Sequence, residues 1–174
     1  DGSNGFRMNG VAEGNQSGNG VSAGDVNGDG FGDLMIGAYR ASPNGDSSGS
    51  SYVVFGKSSG FDAVVDLINL NGSNGFRLDG VAEGDQSGYS LSTAGDINGD
   101  GFDDIIIGAH LTDANGEDSG ASYVIFGKAS GFSAELNLSS LDGSNGFRLE
   151  GVAAEDFLGK FAISSAGDFN GDGI

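Results

Sequence analysis

A nine-residue segment rich in Asp, Asn and Gly occurs twice along the chain, at residues 25–33 and 96–104. Residues 168–174 repeat the beginning of the same segment. Each complete copy has Asp, Asn and Asp at positions 1, 3 and 5, Gly at position 6 and Asp at position 9. Because Gly adopts positive φ without a steric penalty, the chain can turn sharply after position 5. The pattern predicts a tight loop in which alternate side chains face a common centre.

The oxygen atoms of such a loop suit a hard divalent cation. Ca²⁺ takes about six to eight oxygen ligands at roughly 2.3–2.6 Å, from carboxylates, amides and backbone carbonyls. We expect the side chains at positions 1, 3, 5 and 9 and the backbone carbonyl at position 7 to bind it. The predicted ligands are Asp25, Asn27, Asp29, Phe31 and Asp33 in the first copy, Asp96, Asn98, Asp100, Phe102 and Asp104 in the second, and Asp168, Asn170 and Asp172 in the third. Ca²⁺ is therefore the predicted cofactor.

The spacing excludes two other calcium-binding repeats. An EF-hand requires a bidentate Glu at position 12 of its loop, whereas that position is Ile36 in the first copy and Ile107 in the second. Calcium-binding β-helices place nonapeptide repeats back to back, whereas the loops of this chain begin 71 residues apart. An Asx and Gly turn without metal is the remaining alternative, and the repeated ligand spacing favours the metal site.

A longer repeat surrounds these loops. The tetrapeptide Gly-Phe-Arg-Met or Gly-Phe-Arg-Leu begins at Gly5, Gly75 and Gly146, so the unit recurs after 70 and then 71 residues. Long-period repeats of this kind indicate propellers, solenoids or arrays. We divide the sequence into a partial linker at 1–4 and repeats at 5–74, 75–145 and 146–174, the last of them truncated.

Each repeat contains four short strand patterns. Apolar and polar residues alternate in Phe6-Arg7-Met8-Asn9, which predicts an outer, half-exposed strand. Small residues before the calcium loop predict the innermost strand, because they allow close backbone approach. The apolar runs at 34–38 and 105–109, and the aromatic and β-branched runs at 51–56 and 122–127, predict buried strands. Four-stranded antiparallel sheets repeated radially are propeller blades, so we predict an all-β propeller fragment.

Other conspicuous side chains are expected to have structural roles. The Arg residues of the tetrapeptide, such as Arg77 and Arg148, are predicted to pair with nearby carboxylates at the surface. The chain has one His, His110, which is expected at the surface or in a capping position. Leucines of the linkers at 57–74 and 128–145 are expected to pack between units. These are Leu67, Leu70, Leu136, Leu138 and Leu141.

Composition limits the possible partners and compartments. The formal net charge is −18, and only 7 Lys and Arg residues are present among 174 residues. Nucleic acids and anionic membranes attract clustered basic residues, so neither is a predicted partner. The absence of Cys excludes disulfides and thiolate sites, which is typical of a bacterial exported protein stabilised by calcium. No apolar run approaches the roughly 18 residues of a transmembrane helix.

The order of these motifs resembles a known family. Ala23-Gly24-Asp25-Val26-Asn27-Gly28-Asp29-Gly30 is followed by Ile36-Gly37-Ala38 and then by Ser51-Tyr52-Val53-Val54-Phe55-Gly56. This order is similar to the FG-GAP repeat of integrin α-subunit β-propellers and their bacterial relatives. The resemblance implies a seven-bladed propeller, with Ca²⁺ in the hairpin loops between the first and second strands of some blades.

Two features depart from the FG-GAP pattern. The Pro that often follows Gly-Ala in the family is replaced by Tyr39 and His110. The Phe-Gly pair near the start of the repeat is replaced by Asn19-Gly20 and Tyr89-Ser90. These changes argue against a partner like that of the integrins, and they leave the calcium motif intact.

The family resemblance and the incomplete blade set together predict a function. Two and a half units do not close a propeller, so we expect a piece of a longer chain. The resemblance implies a calcium-stabilised binding or adhesion module, extracellular or at the cell surface, with a protein or glycan ligand. A matrix or array protein cross-linked by calcium is one alternative, and a scaffold propeller attached to a hydrolase is another. No catalytic residues are predicted, because no Ser-His-Asp order, acid/base carboxylate pair or P-loop is present outside the repeat pattern.

Overall fold

Short β-strands joined by tight turns form most of the regular structure in this computed structural model, which describes residues 2, 4–161 and 163–165. Within that part of the chain, the strands are β1 (Arg7–Asn9), β2 (Val21–Gly24), β3 (Asp33–Ala38), β4 (Ser50–Val54), β5 (Val64–Asp66), β6 (Gly75–Asp79), β7 (Ser90–Gly95), β8 (Asp104–Ala109), β9 (Ala121–Ile125), β10 (Glu135–Asn137) and β11 (Gly146–Glu150). Short 3₁₀ turns follow β5 and β10. Among the described residues, no helix is long and apolar enough to cross a membrane.

Two successive sheets have the four-stranded antiparallel form of propeller blades. In the first blade the strand order is β2-β3-β4-β6, and in the second it is β7-β8-β9-β11. The strands of small residues, β2 and β7, lie at corresponding edges of the two blades, where Thr93 N–H donates to Ser22 Oγ at 3.2 Å. The predicted all-β class and blade architecture are confirmed, with the small-residue strands in the innermost position.

The fourth strand of each blade comes from the following sequence repeat. Strand β6 opens the repeat predicted at 75–145, yet it pairs with β4 and completes the first blade. Strand β11 completes the second blade in the same way by pairing with β9. The structural blade is therefore shifted by one strand from the sequence repeat, and the sequence boundaries stay predictions.

The linker adds a fifth strand that the sequence patterns did not predict. Strand β10 leaves the second blade and pairs in parallel with β6, the outer strand of the first blade. Strand β5 pairs in parallel with β1 in the equivalent position. Phe76 and Leu78 of β6 are buried, as the alternating pattern predicts, but the predicted exposure of the opposite face is wrong, because Asp79 is buried and Arg77 is partly buried beside β10. Each linker thus ties a blade to the outer edge of the preceding one.

The hydrophobic core lies between the faces of the two blades. Met35, Val53 and Phe76 of the first blade pack in one cluster with Ile105 and Ile125 of the second. A second cluster covers the other face of the first blade. The predicted packing of the linker leucines is confirmed for all five, since they are buried or pack against these clusters: Leu67, Leu70, Leu136, Leu138 and Leu141.

Two of the three tetrapeptide arginines, Arg77 and Arg148, form ion pairs at the outer edges of the blades, as predicted. Arg77 binds Asp79 through two hydrogen bonds of 2.7 and 2.8 Å and lies 3.2 Å from a carboxylate oxygen of Glu135. Arg148 pairs with Glu150 in the next blade. Because Glu135 belongs to β10, the Arg77 pair also helps to hold the linker on the preceding blade.

Candidate calcium loops

Both complete Asp-Asn-Gly segments form the hairpin between the two innermost strands of a blade. Residues 25–32 connect β2 to β3, and residues 96–103 connect β7 to β8. The register pairs Gly24 with Asp33 and Gly95 with Asp104. Antiparallel pairing therefore brings the first and ninth positions of each segment close together, as the sequence analysis expects. The third loop, with Asp168, Asn170 and Asp172, lies outside the described residues.

Side chains at positions 1, 3 and 5 of the first loop fold back onto the loop's own backbone. The Asp25 carboxylate accepts hydrogen bonds from the N–H groups of Asp29 and Gly30, at 3.1 and 2.9 Å. Asn27 Oδ1 accepts from Asp29 N–H at 2.9 Å. Asp29 Oδ1 accepts from Phe31 N–H at 2.9 Å. These bonds place several oxygens on the inner side of one tight turn.

The second loop repeats the same hydrogen bonds. Asp96 accepts from the N–H groups of Asp100 and Gly101, at 3.0 and 2.8 Å. Asn98 Oδ1 accepts from Asp100 N–H at 2.9 Å, and Asp100 Oδ1 accepts from Phe102 N–H at 3.1 Å. Two loops with the same residues at positions 1, 3 and 5 thus form the same internal hydrogen bonds in different blades.

The carboxylates at position 9 are the structural anchors of the loops. Asp33 is fully buried, and its two oxygens accept hydrogen bonds from Val26 N–H at 2.9 Å and Gly56 N–H at 2.8 Å. Asp104 makes the corresponding bonds with Ile97 and Gly127, both at 2.9 Å. Each anchor therefore joins the loop to the strand it begins and to the end of the third strand.

This anchoring role was missed by the sequence analysis, which treats Asp33 and Asp104 only as ligands. The available signal was the Gly that ends each aromatic run, Gly56 and Gly127. A Cβ at Gly56 would lie 2.6 Å from Gly32 O, so the backbone passes too close to the loop for a side chain. A glycine in that position indicates a close backbone contact.

Negative charge is concentrated around the buried carboxylates. Burial raises the pKa of Asp33 to about 6, the N–H groups of Gly56 and Val26 oppose the rise, and the charges of Asp29 and Asp25 add to it. Burial is also the main reason that the pKa of Asp104 is raised, with a smaller contribution from its loop carboxylates. A divalent cation in either loop would reverse this repulsion.

The donor chemistry of each loop fits a hard cation. Within the described residues, no group of three or more His, Cys, Asp or Glu side chains is placed to hold a metal ion. Each loop nevertheless offers three carboxylates and one amide oxygen at the predicted positions. An ionised carboxylate has about four lone-pair sites, so an oxygen that accepts one N–H retains capacity for a cation. Oxygen-only ligand sets are those that Ca²⁺ prefers.

Two stretches of the chain match the family model of the FG-GAP repeat, at residues 17–54 and 87–125. This chain is an FG-GAP repeat protein. Each matched stretch contains the three inner strands of one blade and the whole of its candidate calcium loop. The sequence motifs that indicated the family therefore coincide with the structural core of each blade.

The FG-GAP chain is also similar to integrin α-subunits. It is 31% identical to Integrin alpha-4 of Xenopus laevis over 157 residues, which cover 88% of this chain and 14% of that protein. It is 28% identical to Integrin alpha-6 of Gallus gallus over 116 residues, which cover 66% of this chain and 9% of that protein. It is 44% identical to Integrin alpha ina-1 of Caenorhabditis elegans over 54 residues, or 29% of this chain and 5% of that protein. The chain thus spans a small part of the curated relatives it matches.

A row of aromatic rings lies at the ends of β3 and β8 that are farthest from the candidate calcium loops. The ring centroids of Tyr39 and Tyr89 lie 5.1 Å apart, and those of Tyr89 and His110 lie 4.2 Å apart. The predicted surface or capping position of His110 is wrong, because the residue is only 5% exposed. Burial lowers the pKa of His110, the charge of Lys160 lowers it further, and that of Asp118 opposes both.

Proposed function

We propose that this FG-GAP chain is part of a calcium-stabilised extracellular binding or adhesion module. The observation that supports this most strongly is the repeated hairpin loop, in which the charges of two loop carboxylates act on a third, buried carboxylate that anchors the loop. Asp29 and Asp25 add to the raised pKa of Asp33, so the fold retains a local repulsion that a cation would relieve. The same arrangement recurs at Asp104.

In the first loop we assign calcium to the side chains of Asp25, Asn27, Asp29 and Asp33 and to the carbonyl of Phe31. The ion would supply positive charge among the carboxylates. Asp25 follows β2 and Asp33 begins β3, so these ligands belong to both arms of one hairpin. A ligand that binds the folded state alone stabilises it by mass action. Extracellular calcium modules bind at about 10⁻⁴–10⁻³ M, which suits a structural ion outside the cell.

We propose binding rather than catalysis as the role of the propeller, with a protein or glycan at the cell surface as the partner. Similarity to proteins named Integrin alpha-4 and Integrin alpha-6 supports an adhesion-type module. The formal net charge of −18 argues against a nucleic acid or an anionic membrane as that partner.

The calcium role is tested by thermal unfolding of the chain, followed by far-UV circular dichroism, in about 5 mM Ca²⁺ and in excess chelator. At concentrations of roughly 5 to 50 times Kd, each site should contribute about 1–2 kcal/mol. For a chain of this size, each kcal/mol raises Tm by roughly 2–4 °C. We expect Asp25→Asn/Asp96→Asn to lose most of the calcium-dependent increase in Tm.

A charge-matched control separates calcium binding from a general reduction of negative charge. Asp62 and Glu83 are exposed and lie outside the loops. The double variant Asp62→Asn/Glu83→Gln should therefore keep the full calcium-dependent increase in Tm. Identical melting of the wild-type chain in calcium and in chelator would show that the loops are not calcium sites.

A further inference from the structure

The two complete calcium loops contact each other across the boundary between the blades. We propose that Phe102 and Asp103 of the second loop are positioning residues for the first loop, so that the two loops bind calcium cooperatively. This inference rests on the proposed calcium function. It assigns a role to position 8 of the segment, which contributes no predicted ligand.

Asp103 holds the first ligand of the neighbouring loop by two hydrogen bonds. Asp25 N–H donates to Asp103 Oδ2 at 2.9 Å, and Asp103 N–H donates to Asp25 O at 3.1 Å. Both backbone polar groups of Asp25 are thus paired with one residue of the second loop. A Cβ at Gly24 would lie 2.8 Å from Asp103 Oδ2, so the residue before Asp25 must lack a side chain for this contact to form.

The ring of Phe102 packs directly on the turn of the first loop. A Cβ at Gly28 would lie 2.4 Å from Phe102 Cε1, so the ring occupies the space beside this glycine. Gly28 has a φ of 70° and lies between the ligand positions of Asn27 and Asp29. Phe102 would also supply the backbone carbonyl ligand of its own loop. One residue therefore joins the backbone of the second site to the turn of the first.

A third contact holds the backbone of the first loop between Asp25 and Gly28. Val26 is 1% exposed and packs in the core cluster that joins the two blades. Its carbonyl accepts a hydrogen bond from Lys128 N–H at 3.1 Å. The second blade therefore holds the first loop at positions 1, 2 and 4 of the nine-residue segment.

These contacts predict that calcium binding at one loop strengthens calcium binding at the other. Calcium in the second loop would fix the backbone of Phe102 and Asp103. Because these residues contact the first loop, less of its conformational entropy would be lost when it binds calcium. Ordering that is already complete favours the next ligand, and the resulting free-energy coupling is reciprocal. The first loop has no side chain at position 8, where Gly32 stands, and its Phe31 is 42% exposed. The positioning contacts therefore run from the second loop to the first.

The test is a calcium titration of the 174-residue chain by ¹H–¹⁵N correlation NMR, in which each loop is read separately. The amides of Gly30 and Gly101 occupy position 6 of the two loops and donate to the position-1 carboxylates. In the variant Phe102→Ala, which changes no charge and keeps the backbone carbonyl, we expect Kd read at Gly30 to rise by about fivefold or more.

A second pair of variants at position 8 keeps the proposal testable if Phe102→Ala does not fold. Asp103→Gly introduces the residue that the first repeat carries there, Gly32. It should weaken calcium binding by the first loop, read at the Gly30 amide, more than Asp103→Asn does. Asp103→Asn removes the same charge but keeps an oxygen that can accept the hydrogen bond from Asp25 N–H. Equal effects of the two variants at Gly30 would mean that charge alone acts, and this would overturn the positioning role.

Emptying the second loop tests the cooperativity itself. Asp96→Asn/Asp100→Asn leaves Phe102 and Asp103 unchanged, and we expect it to raise Kd at Gly30. The mirror variant Phe31→Ala should leave the Gly101 titration within about twofold of the wild type, because the Phe31 side chain is 42% exposed and has no proposed positioning role for the second loop.

The outcomes separate failure of the coupling from failure of the proposed function. If Gly30 and Gly101 both titrate in the wild type but Gly30 keeps its affinity in folded Phe102→Ala and in Asp96→Asn/Asp100→Asn, the loops bind calcium independently. If neither amide responds up to about 10 mM Ca²⁺, far above a typical extracellular Kd, the calcium function itself is wrong and the coupling falls with it.

Discussion

Among the described residues, the two candidate calcium loops share their predicted ligands and internal hydrogen bonds, yet their surroundings differ. At position 2, Val26 is 1% exposed, whereas Ile97 of the second loop is 47% exposed. At position 7 the order is reversed, because Phe31 is exposed whereas the Phe102 ring packs on Gly28. The local motif therefore sets the conformation of each loop, and the second blade adds the contacts that cover Val26 of the first loop. The third loop, which follows the second in the chain, lies outside the described residues.

The largest effect is expected where the second blade meets the turn of the first loop. Gly28 and Gly30 both have positive φ, at 70° and 85°, but only Gly28 faces the Phe102 ring. Non-glycine residues in this conformation cost roughly 1–2 kcal/mol, and overpacking adds about 1–3 kcal/mol. We expect Gly28→Ala to destabilise the chain by about 2–5 kcal/mol and Gly30→Ala by roughly 1–2 kcal/mol.

Urea denaturation of both glycine variants in saturating calcium measures this difference. A Cβ at Gly30 would meet no atom within 4 Å, so Gly30→Ala reports the backbone strain alone. Equal losses of stability in the two variants would show that the Phe102 ring moves aside freely, and that the contact between the loops is loose.

A smaller effect is expected at position 2 of the loops. Val26→Ala removes two buried methyl groups from the core between the blades, at about 0.8 kcal/mol for each group plus the cost of the cavity. We therefore expect a loss of about 1.5–3 kcal/mol. The matched variant Ile97→Ala should change stability by less than about 1 kcal/mol, because about half of Ile97 is exposed.

Chemical denaturation of Val26→Ala and Ile97→Ala under the same conditions checks this prediction. We expect the larger loss of stability for Val26→Ala because Val26 is the more buried side chain, although Ile97→Ala removes more atoms. A larger loss for Ile97→Ala would mean that the second loop has a covering partner as extensive as that of the first, and the contrast between the loops would disappear.

The parts of the fold that depend on local patterns could be predicted from the sequence. Small residues before the loop, apolar residues after it and Gly at fixed turn positions predicted β2, β3 and the hairpin between them. Positions 1, 3 and 5 are arranged by hydrogen bonds within nine residues, so their spacing is visible in the sequence.

The contacts between distant residues could not be predicted in this way. The parallel pairing of Leu136 with Leu78 joins a linker to a strand 58 residues earlier, and three linker residues carry no pattern that specifies it. The role of Asp103 depends on its contact with Asp25 of another repeat. In that repeat the position equivalent to Asp103 is occupied by Gly32, so the sequence pattern does not indicate the contact. The expected surface or capping position of His110 depended on the absence of a matching His in the other repeats. The matching residue, Tyr39, is aromatic, and His110 lies in a buried aromatic row.

The smallest expected effect on stability comes from His110, in the aromatic row at the ends of β3 and β8 that lie away from the loops. His110 packs on Tyr89, its Nδ1 has no hydrogen-bond partner among the described residues, and Lys160 and Asp118 are the charged groups that act on it. Its pKa is lowered in the folded state, so the unfolded chain takes up a proton first as the pH falls through about 6.5. Stability from neutral His110 is complete above that pH and decreases below it.

We expect the variant His110→Tyr, which introduces the residue of the first blade, to lose less stability than the wild type between about pH 7.5 and 5.5, by at most about 1.4 kcal/mol. The raised pKa of Asp33 acts in the opposite direction over this range, because its protonation favours the folded state. The difference between the two proteins, rather than the slope of either, therefore reports His110. Urea denaturation at both pH values in constant calcium measures it, and parallel pH dependence in the two proteins would show that His110 is solvated in the folded chain.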